Sequence, residues 1–502
     1  MRVLMINANR FKQPWPVIPF GLCCVAAAIE NAGHEVHILD LCFSKNCARD
    51  ISNAVSKLQP DLIGVSIRNI DNSAGYNTLF LLEHVKNEII VPLKNAFSGP
   101  IVIGGPSVGI NGAEMLSFFD LEFAIRGDGE AAMVEFVNRL EKKFPSNGLG
   151  GLVRRKGNKI VEDNLPLLVT DLDSLPLARP HRYIDLRPYR RFDSPLQIQT
   201  KRGCVLNCSY CTYNRIEGSR YRLRKPQLVA DEIEYLVKKT GINHIEFTDS
   251  TFNIPIEHTK SVLEAVAAKG LDLNLRTMGL NPGAVDEELA DLMKKVGFRD
   301  VDLGAEAGCD AMLKSLGKNF RKKDILQAGR ILHKRGIPIT WYLLVGAPGE
   351  TKQTLNETFE TINSAASKWD LINVGVGIRV YNGSPIAKHM LRENPLCTKD
   401  NFLHPVYYSP QALSLEEVKT ITKRTALRHS NYFMYDEDEN TPSMVLMIGT
   451  ALLRLFAPKQ PIWKLHILLR SVQKMIGINW FKSILFERKN RSAGTTPISP
   501  HR

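Results

Sequence analysis

The sequence is as informative for what it lacks as for what it holds. No even-numbered, regularly spaced set of cysteines runs through it: the nine are an odd count in a chain of 502 residues. That excludes a small disulfide-stapled scaffold and points to a reducing compartment. No uninterrupted apolar run reaches the roughly 20 residues that a spanning helix needs. The best candidate, SMVLMIGTALLRLF, is too short and contains Arg454. The opening MRVLMINANR has an apolar stretch too short for a secretory core and reads as a first β-strand. A cytoplasmic protein is the expectation. Acidic residues are scarce at one end only. Between residues 443 and 502 there are ten Lys or Arg and one Glu, which accounts for most of the net charge of +13.

What is present is ordinary for a large globular chain, with 44% hydrophobic and 23% charged residues. At this length two or three domains are expected, because a single core stops growing well before 500 residues. Over residues 1–145 short apolar runs alternate with helical patterns. RVLMI, EVHIL, LIGVSI, PIVIG and EFAI read as strands buried on both faces, and FGLCCVAAAIENAGH reads as a helix with a glycine stop. This predicts a doubly wound, Rossmann-like parallel sheet with its ligand beyond the carboxyl ends of the strands. Residues 146–194 read as a hairpin followed by a proline-punctuated linker.

A second alternation fills residues 195–385. PLQIQT, HIEFTD, LDLNLRT, RDVDLGAE, IPITWYLLVG and LINVGVGIRV are six strand candidates separated by amphipathic helices. They predict a partial (β/α)6 TIM barrel with its chemistry at the strand C-termini. Residues 386–490 are expected to be helical and 491–502 disordered. In that region WKLHILLRSVQKMIG has helical apolar spacing and a basic face. It suits either packing on the barrel or peripheral contact with an anionic membrane surface.

Just after the first barrel strand stands KRGCVLNCSYCTYN, with Cys204, Cys208 and Cys211 inside fourteen residues. A structural zinc site wants four protein ligands and no second cysteine pair follows; a redox dithiol needs only two. Three thiolates suit a 4Fe-4S cluster with one iron left open to a substrate chelate. The CxxxCxxC spacing, with aromatic Tyr210 before the third cysteine, resembles the cluster motif of the radical S-adenosylmethionine (SAM) superfamily.

The resemblance extends over about residues 195 to 385. FTDSTFN resembles a polar SAM-contacting loop, with Asp249 the candidate for the methionine amine. LGAEAGCDAMLKSLGK resembles the G-x-E-x-G-S segment, in which Glu306 would reach the ribose or methionine; here Cys309 stands where serine is usual. VGAPGET resembles the turn in which Gly346 and Pro348 would let backbone approach the adenine. Read singly, Asp249 could cap a helix, Glu306 could be a surface carboxylate and GAPGE could be an ordinary turn. Their order behind the cysteines favours the site reading.

A doubly wound domain ahead of such a barrel resembles the cobalamin-dependent branch, the class B methyltransferase-like enzymes. The resemblance implies a cobalamin site built from Ser66, Arg68, Asn69, Gly104 and Gly105. No D-x-H-x-x-G motif occurs, so cobalt is expected to lack a histidine ligand, with Arg68 a candidate for its lower face. A nucleotide site is disfavoured because GGPSVG follows the wrong strand and lacks the G-x-G-x-x-G arrangement.

The implied activity is reductive cleavage of SAM with cobalamin-dependent methylation of an unactivated carbon in a small molecule or lipid. Flavodoxin or ferredoxin would supply the electron. The alternative in the same class is cyclisation, ring contraction or oxidation without methyl transfer. A tRNA methylthiotransferase is less favoured, because the early cysteines are badly spaced and no aromatic RNA platform is visible, so no nucleic-acid partner is expected. A non-catalytic cobalamin sensor would have no need of the cysteine triad.

Overall fold

The structure, a computed structural model, describes residues 1–13, 15–162, 164–393, 402–434, 460–461 and 463–476. Five strands, β1 (Arg2–Asn7), β2 (Glu35–Asp40), β3 (Leu62–Ser66), β4 (Ile101–Gly104) and β5 (Phe123–Ile125), pair in parallel in the order 2-1-3-4-5. Each carries apolar side chains to both faces: Leu4, Ile6, Ile63 and Val65 enter one core, and Val3, Met5, Leu62 and Val102 the other. Helices cover both faces, so continuous apolar runs rather than alternation mark these strands.

The hairpin β6 (Leu152–Lys156) and β7 (Lys159–Glu162) does not lie in a connecting segment. β6 pairs antiparallel with β5 and extends the first sheet to seven strands. The boundary expected at residue 145 therefore moves beyond 162.

The second sheet system begins at β8 (Leu196–Ile198). A two-strand ribbon, β9 (Lys201–Arg202) with β10 (Arg222–Leu223), brackets the cysteine loop. The barrel continues through β11 (His244–Phe247), β12 (Asn274–Thr277), β13 (Val301–Glu306), β14 (Ile339–Val345) and β15 (Leu371–Val376). Ladders join β8, β11 and β12, and separately β13, β14 and β15. Parallel bridges at Leu275 to Phe298 and Leu280 to Leu303 link the two halves.

The region after 385 is not purely helical. Beyond β16 (Ile378–Arg379) and β17 (Tyr407–Tyr408), which pair antiparallel, β18 (Tyr432–Met434) adds a further parallel strand beside β15. The expected helix appears at Trp463–Ile476 and packs on this edge: Ile467 is buried and Arg470 donates to the Tyr432 carbonyl. Its Leu468 and Val472 stay exposed. SMVLMIGTALLRLF, Cys397 and the tail 491–502 lie outside the described residues. No helix among the described residues is long and apolar enough to cross a membrane.

Polar residues fill the barrel interior. Buried Arg276 on β12 binds Glu246 on β11, Asp300 at 3.2 Å and Asp302 at 2.9 Å. Arg299 also reaches Asp300 at 3.2 Å, and the Trp15 ring of the first domain lies 4.6 Å from the Arg276 guanidinium.

Candidate active site between the two domains

The cysteine loop is fixed by backbone contacts. Gly203 has a φ of +93°, which an L side chain avoids, and a Cβ there would be driven into the Arg220 carbonyl. Its N–H donates to Glu217 Oε2 at 3.1 Å, the Cys204 N–H to the Gly218 carbonyl at 3.0 Å, and the Ser209 N–H to Leu316 at 2.9 Å. Gly317 lets this second segment close on Asn207, since a Cβ would stand 2.8 Å from the Asn207 carbonyl. Gly203→Ala is expected to displace Cys204 and lower bound iron severalfold while all three thiols remain. Iron assay and thiol titration on the same sample check this.

Cys204 is buried, and Cys208 and Cys211 are half-buried. Burial pushes the Cys208 thiol up and the Cys211 thiol to about 11, and each feels the charge of the neighbouring cysteines. Among the described residues no three His, Cys, Asp or Glu side chains are close enough to share a single ion. Three thiols on one pinned loop suit a cluster, whose bulk keeps its ligands further apart than one ion would.

Beside them lies a triad. Tyr210 donates to Glu306 Oε1 at 2.7 Å, and Lys318 Nζ donates to the Tyr210 hydroxyl at 2.8 Å and to Glu306 Oε1 at 3.2 Å. Glu306 sits at φ +60° where the register between β13 and β14 shifts, an irregularity that re-aims its carboxylate toward the cysteine loop. The sequence reading placed Tyr210 and Glu306 here and missed Lys318, although it ends the same quoted segment. A lysine beside thiolates balances their charge.

Asp249 falls elsewhere. Its Oδ1 accepts the N–H groups of Thr200 (2.8 Å) and Lys201 (3.2 Å); its Oδ2 accepts Thr200 Oγ1 (2.7 Å) and Lys201 Nζ (3.3 Å). A carboxylate has about four acceptor sites, and all are filled by protein donors. Asp249 therefore ties the segment after β11 to the ribbon before Cys204. From the same loop, Thr251 Oγ1 lies 3.9 Å from Cys204 Sγ. Gly346 does adopt a left-handed φ of +94°, but its crowding neighbour is Leu415, whose side chain lies 2.9 Å from the point a Cβ would occupy. The Pro348 carbonyl accepts from Ser315 at 2.6 Å.

A cavity of about 330 Å³ separates the first sheet from the barrel. The strand ends of the first domain supply Asn7, Asn9, Ser66, Arg68, Gly104, Gly105 and the loop Gly127–Glu130. The barrel supplies Gln197, Gln199, Arg202, Tyr213, Glu217, Thr248 and Met278. Gly104 is open, with nothing nearer to an added Cβ than the Ile125 carbonyl at 3.8 Å; Gly105, at φ +102°, packs on Ile67. Asn9 Nδ2 is buried without a partner. An open glycine edge and an orphan donor suit a bulky polar cofactor. No histidine lines the cleft among the described residues, and Arg68 does. Asn69 stands outside the lining.

Glu217, which the sequence reading missed, is half-buried on the barrel wall, and burial pushes its carboxyl up to about 7. The folded chain therefore holds a proton that the unfolded chain releases above its ordinary value near 4.5. Stability should fall as pH rises from about 4.5 through about 7. Glu217→Gln is expected to flatten that decline, read as the difference in urea midpoint between pH 6 and pH 8.

Strand-end cleft, cysteine loop and barrel together define a two-domain protein whose cleft would take a large cofactor and whose neighbouring cysteines would hold an iron-sulfur cluster. Residues 198–362 match the Radical SAM superfamily and residues 10–137 the B12 binding domain. The chain is a radical SAM enzyme with an N-terminal B12-binding domain, and its cofactors are a 4Fe-4S cluster, SAM and cobalamin. It is 26% identical over 446 residues to a tryptophan 2-C-methyltransferase of Streptomyces laurentii, covering 76% of this chain and 73% of that one. An uncharacterized methyltransferase of Pyrococcus horikoshii is 25% identical over 383 residues, covering 76% and 80%. Its fold matches the radical SAM methyltransferase TsrM from Kitasatospora setae, solved with tryptophan and a SAM analog, at TM-score 0.82 and 22% identity over 95% of this chain and 100% of that one.

Proposed function

We propose that the enzyme moves a methyl group from SAM to a carbon atom of a small molecule held in the cleft between its domains. The observation that carries this is the single cavity shared by the B12-binding strand ends and the barrel wall beside the Cys204 loop. When bound, the cofactors supply the electron for SAM cleavage and the carrier for the methyl group. The residues of the chain do the rest. Cys204, Cys208 and Cys211 would hold the cluster, while Lys318 and Glu306 offer opposite charges beside it. Ser66, Asn9, Gly104 and Gly105 would cradle the cobalamin. Arg68 would place a cation where a histidine ligand stands in other cobalamin proteins. Gln197, Gln199, Thr248 and Met278 line the wall that a substrate would meet.

The methyltransferase names of relatives support this reading, among them a hopanoid C-3 methylase of Methylococcus capsulatus, 27% identical over 318 residues, 60% of this chain and 57% of that one. A lipid substrate, a flavodoxin or ferredoxin donor and a cytoplasmic location, peripheral to membrane through the basic C-terminal region, remain part of the proposal. The test incubates anaerobic, cofactor-loaded enzyme with a metabolite extract and either SAM or trideuteromethyl-SAM. Paired products separated by the mass of three deuterium substitutions are expected. SAM consumption with products of unchanged carbon count would replace methyl transfer by cyclisation or oxidation.

A further inference from the structure

The cysteine loop is held from the first domain. Arg202 lies two residues before Cys204 on β9, is nearly buried, and donates to Glu130 Oε1 at 2.6 Å and Oε2 at 3.2 Å. The same guanidinium stands 3.4 Å from Asp128 and donates through Nε to Gln199 at 3.1 Å. On the partner strand β10, Arg222 pairs with Asp128 and donates to the Glu217 carbonyl at 2.8 Å. Glu217 in turn accepts from Gly203. Two arginines and two carboxylates thus form a charge-balanced chain, Glu130–Arg202–Asp128–Arg222, across the domain boundary. Bidentate pairs of this kind fix geometry as well as contribute energy.

Both carboxylates belong to Gly127–Glu130, which lines the cobalamin cleft. Both arginines belong to the ribbon from which the cluster loop emerges. One short connection therefore touches both cofactor sites.

We infer that Glu130 is a positioning residue for the cluster loop, and that through Glu130 and Arg202 cobalamin binding and cluster binding favour each other. Ordering Gly127–Glu130 around one cofactor removes freedom that the Arg202 ribbon would otherwise lose on binding the second. Such coupling is reciprocal, so either cofactor tightens the other by the same factor. The inference rests on the cleft being the cobalamin site.

The experiment titrates hydroxocobalamin into cluster-loaded and cluster-free full-length chain, followed by its visible absorption. Wild type is expected to bind about tenfold more tightly with the cluster present, within the usual range of coupling. Glu130→Gln keeps the size of the side chain, and its two affinities should converge when the cluster-loaded sample is prepared to the same iron content per chain as wild type. Glu130→Asp should recover part of the difference. Equal affinities in wild type, or a wild-type ratio retained by Glu130→Gln, overturn the inference. No hydroxocobalamin binding in either form overturns the cleft assignment and the inference with it.

Discussion

Cys208→Ala yields a folded chain without its cluster. A cluster with three protein thiolates does not survive the loss of one, so bound iron should drop from about four per chain to a small fraction of that, and the broad visible absorption should vanish. The fold should hardly notice. Cys208 is half-buried on a loop whose shape is set by the Ser209 N–H, the Gly317 approach and the Gly203 turn, none of which uses its thiol. Removing one sulfur there should change stability by about 1 kcal/mol or less. SAM cleavage should fall to background. Wild-type iron content in the variant would mean that another side chain completes the site, and the assignment of these three cysteines would fail.

Arg276→Met unfolds the barrel far more readily. The guanidinium answers three acids, Glu246, Asp300 and Asp302, all of them buried. Among the described residues, only Asp300 of the three has a second cation, Arg299. Methionine fills similar volume but leaves carboxylates without their partner, which typically costs about 3–5 kcal/mol. Asp302 sharpens the expectation. Even beside Arg276, burial pushes its carboxyl up to about 7. In the variant it should stay protonated to higher pH still. The variant is therefore expected to lose most stability at pH 8 and less at pH 6, where its acids can take up protons. Urea unfolding at the two pH values reads both effects. A loss within about 1 kcal/mol at pH 8 would show that the barrel interior tolerates the acids unpaired. Trp15 adds a functional side to this cluster, since it brings a ring of the B12-binding domain onto the barrel's central cation.

Much of this architecture is legible without a structure because parallel strands buried on both faces are written as continuous apolar runs. All five parallel strands of the first sheet and all six expected barrel strands lie where LIGVSI, PIVIG, HIEFTD and their counterparts put them. The cysteine loop is legible for a different reason: its ligands are close in sequence, so spacing alone carries the geometry. The pairing of the hairpin and the existence of the short strand β18 were hidden. The hairpin Leu152–Glu162 reads the same whether it stands alone or extends a sheet, and its pairing with Phe123–Ile125 is a tertiary choice. Tyr432–Met434 is three residues long, too short for any periodicity, and becomes a strand by pairing with β15 some 60 residues earlier.

Among the site residues the division is similar. Glu306 and Tyr210 hydrogen-bond to each other beside the cysteine loop, whereas the acceptor positions of Asp249 are taken by Thr200 and Lys201. Nothing in FTDSTFN encodes the lysine that comes to rest beside it. Glu130 and Arg202 lie 72 residues apart and form a bidentate pair only because the two domains close on each other. The sequence by itself determined the two-domain plan, the class of enzyme and the three thiols, since each rests on local pattern. The tertiary structure decided which charges are paired and which face the cleft, because burial and long-range contact, not spacing, determine whether a carboxylate holds the fold together or stands ready for a ligand.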